Sequence, residues 1–238
     1  MKFSPPLTTS AKIIKRYKRF FADITNHHNI VETLYLPNTG SMKSCYEAGD
    51  EVAYSVSDNL KRKLPKTLEM IKRNQSWVGV NTQLTNHIVQ EFIEEKKIPS
   101  LEHFSFIKRE VKILDSKIDF LLQNQQTKKE CYLEVKNVTM RDLRGTRRAL
   151  FPDAVSIRAL KHLRDLVLLR KDGYEAALLF LVQREDVDDF SPCQEIDPAY
   201  ARELSLAQKQ GLPIFVAQCY VSPEEITFWR EIPFISSL

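Results

Sequence analysis

Apolar positions along the chain fall into two regimes that meet near residue 80. Before it, short apolar stretches are broken by turn-rich runs at residues 25–29, 37–40 and 56–59, which predicts a small β-rich unit. After it, helical and strand patterns alternate. Leu84, Ile88, Val89, Phe92 and Ile93 recur at spacings that place them on one helical face, so residues 83–96 predict an amphipathic helix. Strands are predicted over 106–113, 117–122 and 130–138, with a hairpin turn at 124–129. Residues 154–171 predict a long helix closed by Gly173, and 175–183 a buried strand. A helix over 198–210 opens at Pro198 and ends at Gly211, and a strand follows over 212–220. The order α-β-β-β-α-β-α-β implies a mixed sheet flanked by helices. One early segment fits this scheme poorly: Ile13, Ile14, Tyr17, Phe20, Phe21 and Ile24 share a helical stripe, so periodicity alone predicts a helix over 12–24.

Composition narrows the class. With 43% hydrophobic and 28% charged residues in 238, the chain has enough apolar material for a real core and is neither disordered nor fibrous. Lys and Arg (35) exceed Asp and Glu (31) by four, a mild excess that matters only where it is clustered. Cys45, Cys131, Cys193 and Cys219 are far apart with no C-x-x-C pair, which argues against a disulfide framework or a zinc site. No secretory signal is expected at the N-terminus, and the longest wholly apolar run, 176–182, suits a buried strand and not a membrane span. The expectation is a cytoplasmic protein without a membrane partner.

The chemistry concentrates on the predicted strand 130–138. Alternation puts Glu134 and Lys136 on one face and Leu133 and Val135 on the other. Asp119 lies on the preceding strand, and antiparallel pairing brings it beside Glu134. Two carboxylates in an apolar setting call for a cation: Mg²⁺, with Mn²⁺ as a substitute. Lys136 would then orient the attacking water and stabilise charge on a phosphate. Glu-x-Lys alone is common as a solvated ion pair, but this Asp…Glu-x-Lys arrangement resembles the PD-(D/E)XK nuclease motif, whose core has the same α-β-β-β-α-β order. Glu91, on the first helix of that core, is a candidate third metal-binding acid or an ordinary exposed glutamate.

A second resemblance runs along most of the chain. RYKRFFADI (16–24), PNTGSM (37–42), GVNTQLTN (79–86), IDFLL (118–122), YLEVKNVT (132–139), FPDAVSIRALKHLRDL (151–166) and IDPAY (196–200) resemble, in order, the sugar fermentation stimulation protein A family. Departures are Tyr35, Lys117 and Ala159, where the family often has His, Arg and Gly, and the poorly matched stretch 141–150. The resemblance implies an α+β protein: an N-terminal OB-like β-barrel over 1–80 and a PD-(D/E)XK nuclease-like α/β domain with a mixed sheet over 81–238. It overrides the helical stripe and implies a bulged strand over 12–24. It also implies a DNA-binding protein acting on sugar (maltose-type) metabolism genes. A Mg²⁺-dependent nuclease and an inert metabolite- or protein-binding regulator are the alternatives.

Positive charge clusters where such a partner needs it. Lys12, Lys15, Arg16, Lys18 and Arg19 interleave with Tyr17, Phe20 and Phe21; the charges read as phosphate contacts and the aromatics as barrel core. Lys61, Arg62, Lys63 and Lys66 form a second run. Arg141, Arg144, Arg147 and Arg148 form a third, in an expected mobile loop. On the long helix Arg158, Lys161 and His162, with Arg164 nearby, form a further candidate nucleic-acid contact. Asp153 reads as an N-cap, Glu110 as an ion-pair partner on a strand face, and Gly40 as a turn glycine at positive φ.

Overall fold

The computed structural model describes residues 1–113 and 116–236. Its N-terminal part is built from β1 (Thr8–Tyr17), β2 (Phe21–Asn26), β3 (Val31–Tyr35), β4 (Glu51–Val56), β5 (Lys66–Arg73) and β6 (Ser76–Gly79). These form one sheet in the order β3-β2-β1-β4-β5-β6. The single parallel pair Tyr35↔Thr67 joins β3 to β5 and closes the first five strands into a barrel. Its interior is filled by Ile13, Ala22, Ile24, Leu34, Leu36, Leu68 and Ile71. Each such aliphatic contributes roughly 1.5–3 kcal/mol on burial.

Residues 12–24 are neither the helix of the periodicity nor one strand. They are β1 and β2, antiparallel, with a bulge between Ile13 and Lys15 and a reversal at residues 18–20. The helical stripe is a by-product of that hairpin. Tyr17 pairs with Phe21 and Ile13 with Ile24, separations of four and eleven that both fall near whole helical turns. The aromatics are also outside the core: Tyr17 and Phe21 are half-buried and Phe20 is 40% exposed.

The chain continues through α1 (Thr85–Glu94), β7 (Phe104–Ile113), β8 (Ser116–Asn124), β9 (Glu130–Val138), β10 (Met140–Arg141), β11 (Arg148–Phe151) and α2 (Ile157–Lys171). It ends with β12 (Glu175–Val182), β13 (Asp189–Pro192), α3 (Pro198–Lys209), β14 (Ile214–Val221) and β15 (Ile226–Glu231). The main sheet has the order β15-β14-β12-β9-β8-β7. It is parallel at β9/β12 and β12/β14 and antiparallel elsewhere, so the fold is α+β with a mixed sheet. The central strand β12 is buried along nearly its whole length because helices or barrel cover both faces. One face packs Ile88, Val89 and Phe92 of α1 on Leu133 and Val135, and Leu7, Ala53 and Met70 from the barrel join the same cluster. The other face packs Leu163 and Leu166 of α2 and Leu204 of α3 on Leu178 and Phe180.

The helix caps follow the sequence with one change. Ser156, and not Asp153, caps α2, its side chain accepting from the Ala159 N–H. Asp153 instead accepts from the backbone N–H of Ser41 at 2.8 Å. Gly40 does not have the positive φ expected of it. A β-carbon there would meet the Asp153 carboxylate, which would have to shift from its contact with the Ser41 N–H. Glu110 pairs with Lys117 across the β7–β8 hairpin at 2.5 Å.

The Arg-rich stretch 141–150 is ordered. β10 and β11 pair with each other, and β11 runs parallel to β13. Arg141 pairs with Asp186, Arg144 with Asp142, Arg147 with Asp188 and Arg148 with Asp189, so these charges are neutralised within the fold.

Candidate active site

The β8–β9 ladder has its last pair at Phe120↔Leu133. Beyond it Asp119 takes over a ladder position: its Oδ2 accepts the Val135 N–H at 2.8 Å, and its Oδ1 accepts Asn86 Nδ2 at 2.8 Å. Asn86, in the first turn of α1, is in turn held through its carbonyl by Arg109 Nη2 at 2.9 Å. Burial pushes the Asp119 carboxyl above its usual range, and the charge of Glu134 adds to this.

Glu134 is 2% exposed. Its Oε1 receives Lys136 Nζ at 2.6 Å and lies 2.5 Å from His162 Nδ1. Burial alone would push Glu134 up; the His162 hydrogen bond and the Lys136 ammonium outweigh it, and the carboxyl lies below its usual range. Its Oε2 is buried and has no hydrogen-bond partner among the described residues. A buried carboxylate oxygen without a donor is costly unless a cation or water completes it. Repulsion between the two acids points the same way.

His162 is therefore not a surface contact to nucleic acid. It is buried on the sheet side of α2, beside Glu134. The signal was available in the stripe Ala159, His162, Leu163, Leu166 and Leu169, all of them buried. Lys161 is partly committed to Ser116 Oγ at 2.7 Å and Asp165 at 2.8 Å, whereas Arg158 is exposed. Glu91 is not brought to the two acids: its Oε1 binds the Met1 amino group at 2.5 Å. Among the described residues, no group of three or more His, Cys, Asp or Glu side chains forms a metal cluster.

The other candidates divide. Arg16 is turned inward, donating to the carbonyls of Asn38 at 2.7 Å and Arg19 at 3.1 Å, so its role is to fold the 37–42 loop onto the hairpin. Lys15, Lys18, Arg19, Lys61 and Lys63 are exposed, and Arg62 donates to Thr67 Oγ1 at 3.0 Å. Tyr200 was not anticipated. It is fully buried, its hydroxyl has no partner among the described residues, and burial with the charge of Glu134 pushes its pKa up.

A cleft of about 430 Å³ opens between barrel and sheet, lined by Arg19, Asn38, Gly40, Asn137, Asp153 and Ser156. None of Asp119, Glu134 and Lys136 lines it, but Asn137 follows Lys136 directly on β9.

Asp119 on one strand and Glu134-x-Lys136 on the next thus lie in a helix-flanked mixed sheet beside a five-strand barrel, the architecture of a two-part α+β protein with an N-terminal barrel. Residues 14–80 match the SfsA N-terminal OB domain, and residues 83–225 match the Sugar fermentation stimulation protein RE domain. The chain belongs to the sugar fermentation stimulation protein family. It is 44% identical to a sugar fermentation stimulation protein homolog of Desulfotalea psychrophila, over 93% of this chain and 92% of that one. A homolog from Magnetococcus marinus is 41% identical over 98% and 99%. The solved structure of Pyrococcus furiosus SfsA in complex with Ca²⁺ has the same fold, with a TM-score of 0.86, 24% identity and coverage of 99% and 98%. Among the described residues no helix is long and apolar enough to cross a membrane.

Proposed function

We propose that the chain is a divalent-cation-dependent nuclease acting on DNA, with Asp119, Glu134 and Lys136 at its centre. The observation that carries this is Glu134 Oε2, an anionic oxygen buried without a donor among the described residues, beside a second, half-buried carboxylate. Asp119, Glu134 and the Val135 carbonyl would hold Mg²⁺ or Mn²⁺. Oxygen donors of this kind suit hard divalent cations, and the Pyrococcus furiosus relative was solved with Ca²⁺. When bound, the cation supplies a lowered pKa for water and charge stabilisation at the phosphoryl group.

The chain's own residues do the rest. Asn86 and the Val135 N–H fix the Asp119 carboxylate. His162 holds Glu134 in one orientation from behind. Lys136, drawn from its contact with Glu134 toward a phosphate oxygen, stabilises the charge that grows there as water adds and the leaving oxygen departs.

Mg²⁺ and Mn²⁺ should bind in calorimetry and support DNA cleavage. Asp119→Ala, Glu134→Ala and Lys136→Ala should each reduce cleavage by roughly 10²–10³-fold. Cleavage that survives all three substitutions would rule this reading out. A second reading is a DNA-binding regulator of sugar-metabolism genes that does not cut. It is favoured by the contacts of both Lys136 and His162 with one oxygen of Glu134, which leave that oxygen satisfied without a ligand. DNA binding with neither metal uptake nor cleavage would select it.

A further inference from the structure

We propose that Tyr200 is a positioning residue for the cation site: its hydroxyl, in the layer between the sheet and helices α2 and α3, holds a water of the bound cation's shell against Glu134 Oε2. This rests on the reading of Asp119 and Glu134 as cation ligands, and not on cleavage.

Two atoms on this side of the sheet each lack what the other supplies. Tyr200 Oη is a buried hydroxyl and Glu134 Oε2 a buried carboxylate oxygen, and neither has a hydrogen-bond partner among the described residues. They share one layer. Glu134 alternates with Leu133 and Val135, which pack toward α1, so it faces α2, where His162 meets it at 2.5 Å. Its register partner on β12 is Leu178, and that of Lys136 is Phe180. Both of these pack in the same cluster as Tyr200.

The backbone of Tyr200 is fixed at the start of α3. Asp197 caps that helix by accepting the Tyr200 N–H at 2.9 Å, and its second oxygen accepts the Ser156 N–H at 3.1 Å. One carboxylate thus aligns the starts of α2 and α3. The Tyr200 ring lies edge-on against Phe151, with centroids 5.4 Å apart, and Phe151 lies 5.5 Å from Phe180. The side chain therefore runs from the helix start toward the strands that carry Glu134 and Lys136. Glu134 raises the pKa of the hydroxyl more than Asp197 does, although Asp197 bonds the same residue's N–H, so the hydroxyl end of the ring is turned to Glu134.

A phenylalanine would make the same ring contacts, and the neighbouring rings Phe151, Phe180 and Phe190 are all of that kind. A hydroxyl kept in such company without a partner costs stability, and groups of this sort in native proteins are accounted for by an ion, a water or a catalytic role. A small divalent cation keeps several waters of its own. A phenol hydroxyl both donates and accepts, so it can hold one of those waters beside the carboxylate that binds the ion. Residues acting in this way set the affinity of a metal site without touching the metal.

Calorimetric titration of Mn²⁺ into the wild-type protein and Tyr200→Phe, with the melting temperatures of both in EDTA, tests this. Tyr200→Phe should weaken Mn²⁺ binding about ten-fold. Its melting temperature in EDTA should hold or rise, because an unpartnered hydroxyl has left the core. A hydroxyl with only a structural role would give the opposite pair, an unchanged Kd for Mn²⁺ and a lowered melting temperature. An unchanged Kd in Tyr200→Phe, no Mn²⁺ uptake by the wild type, or weaker binding that comes with a lowered melting temperature would each overturn the proposal. Mn²⁺ binding that depends on Tyr200, with no cleavage of DNA, would sink the nuclease reading and keep this one. Cleavage and Mn²⁺ binding that both survive Tyr200→Phe would do the reverse.

Discussion

Asp119 and Glu134 are neighbours perturbed in opposite directions, and the difference lies in their partners. Glu134 has an ammonium and an imidazole on one oxygen, whereas Asp119 has neutral donors, burial and the repulsion of Glu134. A carboxyl whose folded pKa is raised stabilises the fold below its unfolded value and loses that contribution as pH rises through the raised value. In metal-free protein, therefore, Asp119 should weaken the fold as pH rises out of the acid range. Asp119→Asn, neutral throughout, should flatten that part of the melting-temperature profile in EDTA. Added Mg²⁺ should raise the melting temperature of the wild type and leave Asp119→Asn unmoved, the shift following the logarithm of cation concentration above its Kd. A wild-type profile that does not change on this substitution would contradict the assignment. The residues of this pair were legible because strand alternation fixes Glu134 against Lys136 whatever surrounds them. Asn86, Tyr200 and the true place of His162 were not, because they depend on how helices from other parts of the chain lie on the sheet.

The connection from β10 to β11 shows what an element owes to distant sequence. Read alone, residues 141–150 are basic and lack periodicity, and nothing local tells them from a mobile insertion. Their partners Asp186, Asp188 and Asp189 come more than forty residues later, so the order is invisible until β11 lies beside β13. Within the turn, hydrogen bonds from Arg144 and Thr146 hold the Asp142 carboxyl at about 2, below its ordinary 3.8. A depressed carboxyl contributes stability above its unfolded pKa and loses it as pH falls through the folded one. Asp142→Asn should thus lower the melting temperature at neutral pH, with the gap to wild type closing between about pH 4 and pH 2. A gap that is independent of pH would place the effect elsewhere. The longer elements behaved differently. Helices α1, α2 and α3 and strands β7–β9, β12 and β14 lie where periodicity puts them, within about three residues, because each is long enough to carry a pattern and all but the edge strand β7 bury a full face. Strands β10, β11 and β13, of two to four residues, are too short to leave a pattern.

At the scale of the whole molecule, barrel and sheet are joined by more than contact. Arg184, fully buried at the end of β12, donates to the Thr139 carbonyl at 2.7 Å and the Ser44 carbonyl at 3.3 Å, and forks onto Asp186 at 2.6 and 2.8 Å. It thereby ties the segment after β3 to the end of β9. Arg184→Ala leaves the buried Asp186 carboxylate to Arg141 alone and takes the donor from the Thr139 carbonyl, and should cost about 2–3 kcal/mol, read as a fall in the denaturant midpoint. A loss under about 1 kcal/mol would show that water repairs the gap. The barrel also contributes Leu7, Ala53 and Met70 to the core beneath β9. Strand β9 itself is interior in the sheet, flanked by β8 and β12 and covered on both faces. Segments so placed are the last to open in native-state fluctuations, exchanging their amide protons only when the whole chain unfolds. Glu134, Val135 and Lys136 sit on this strand just beyond its last pair with β8, held there by β12. If they cut nucleic acid as proposed, local melting would not switch them off, and control would act on access to the site instead.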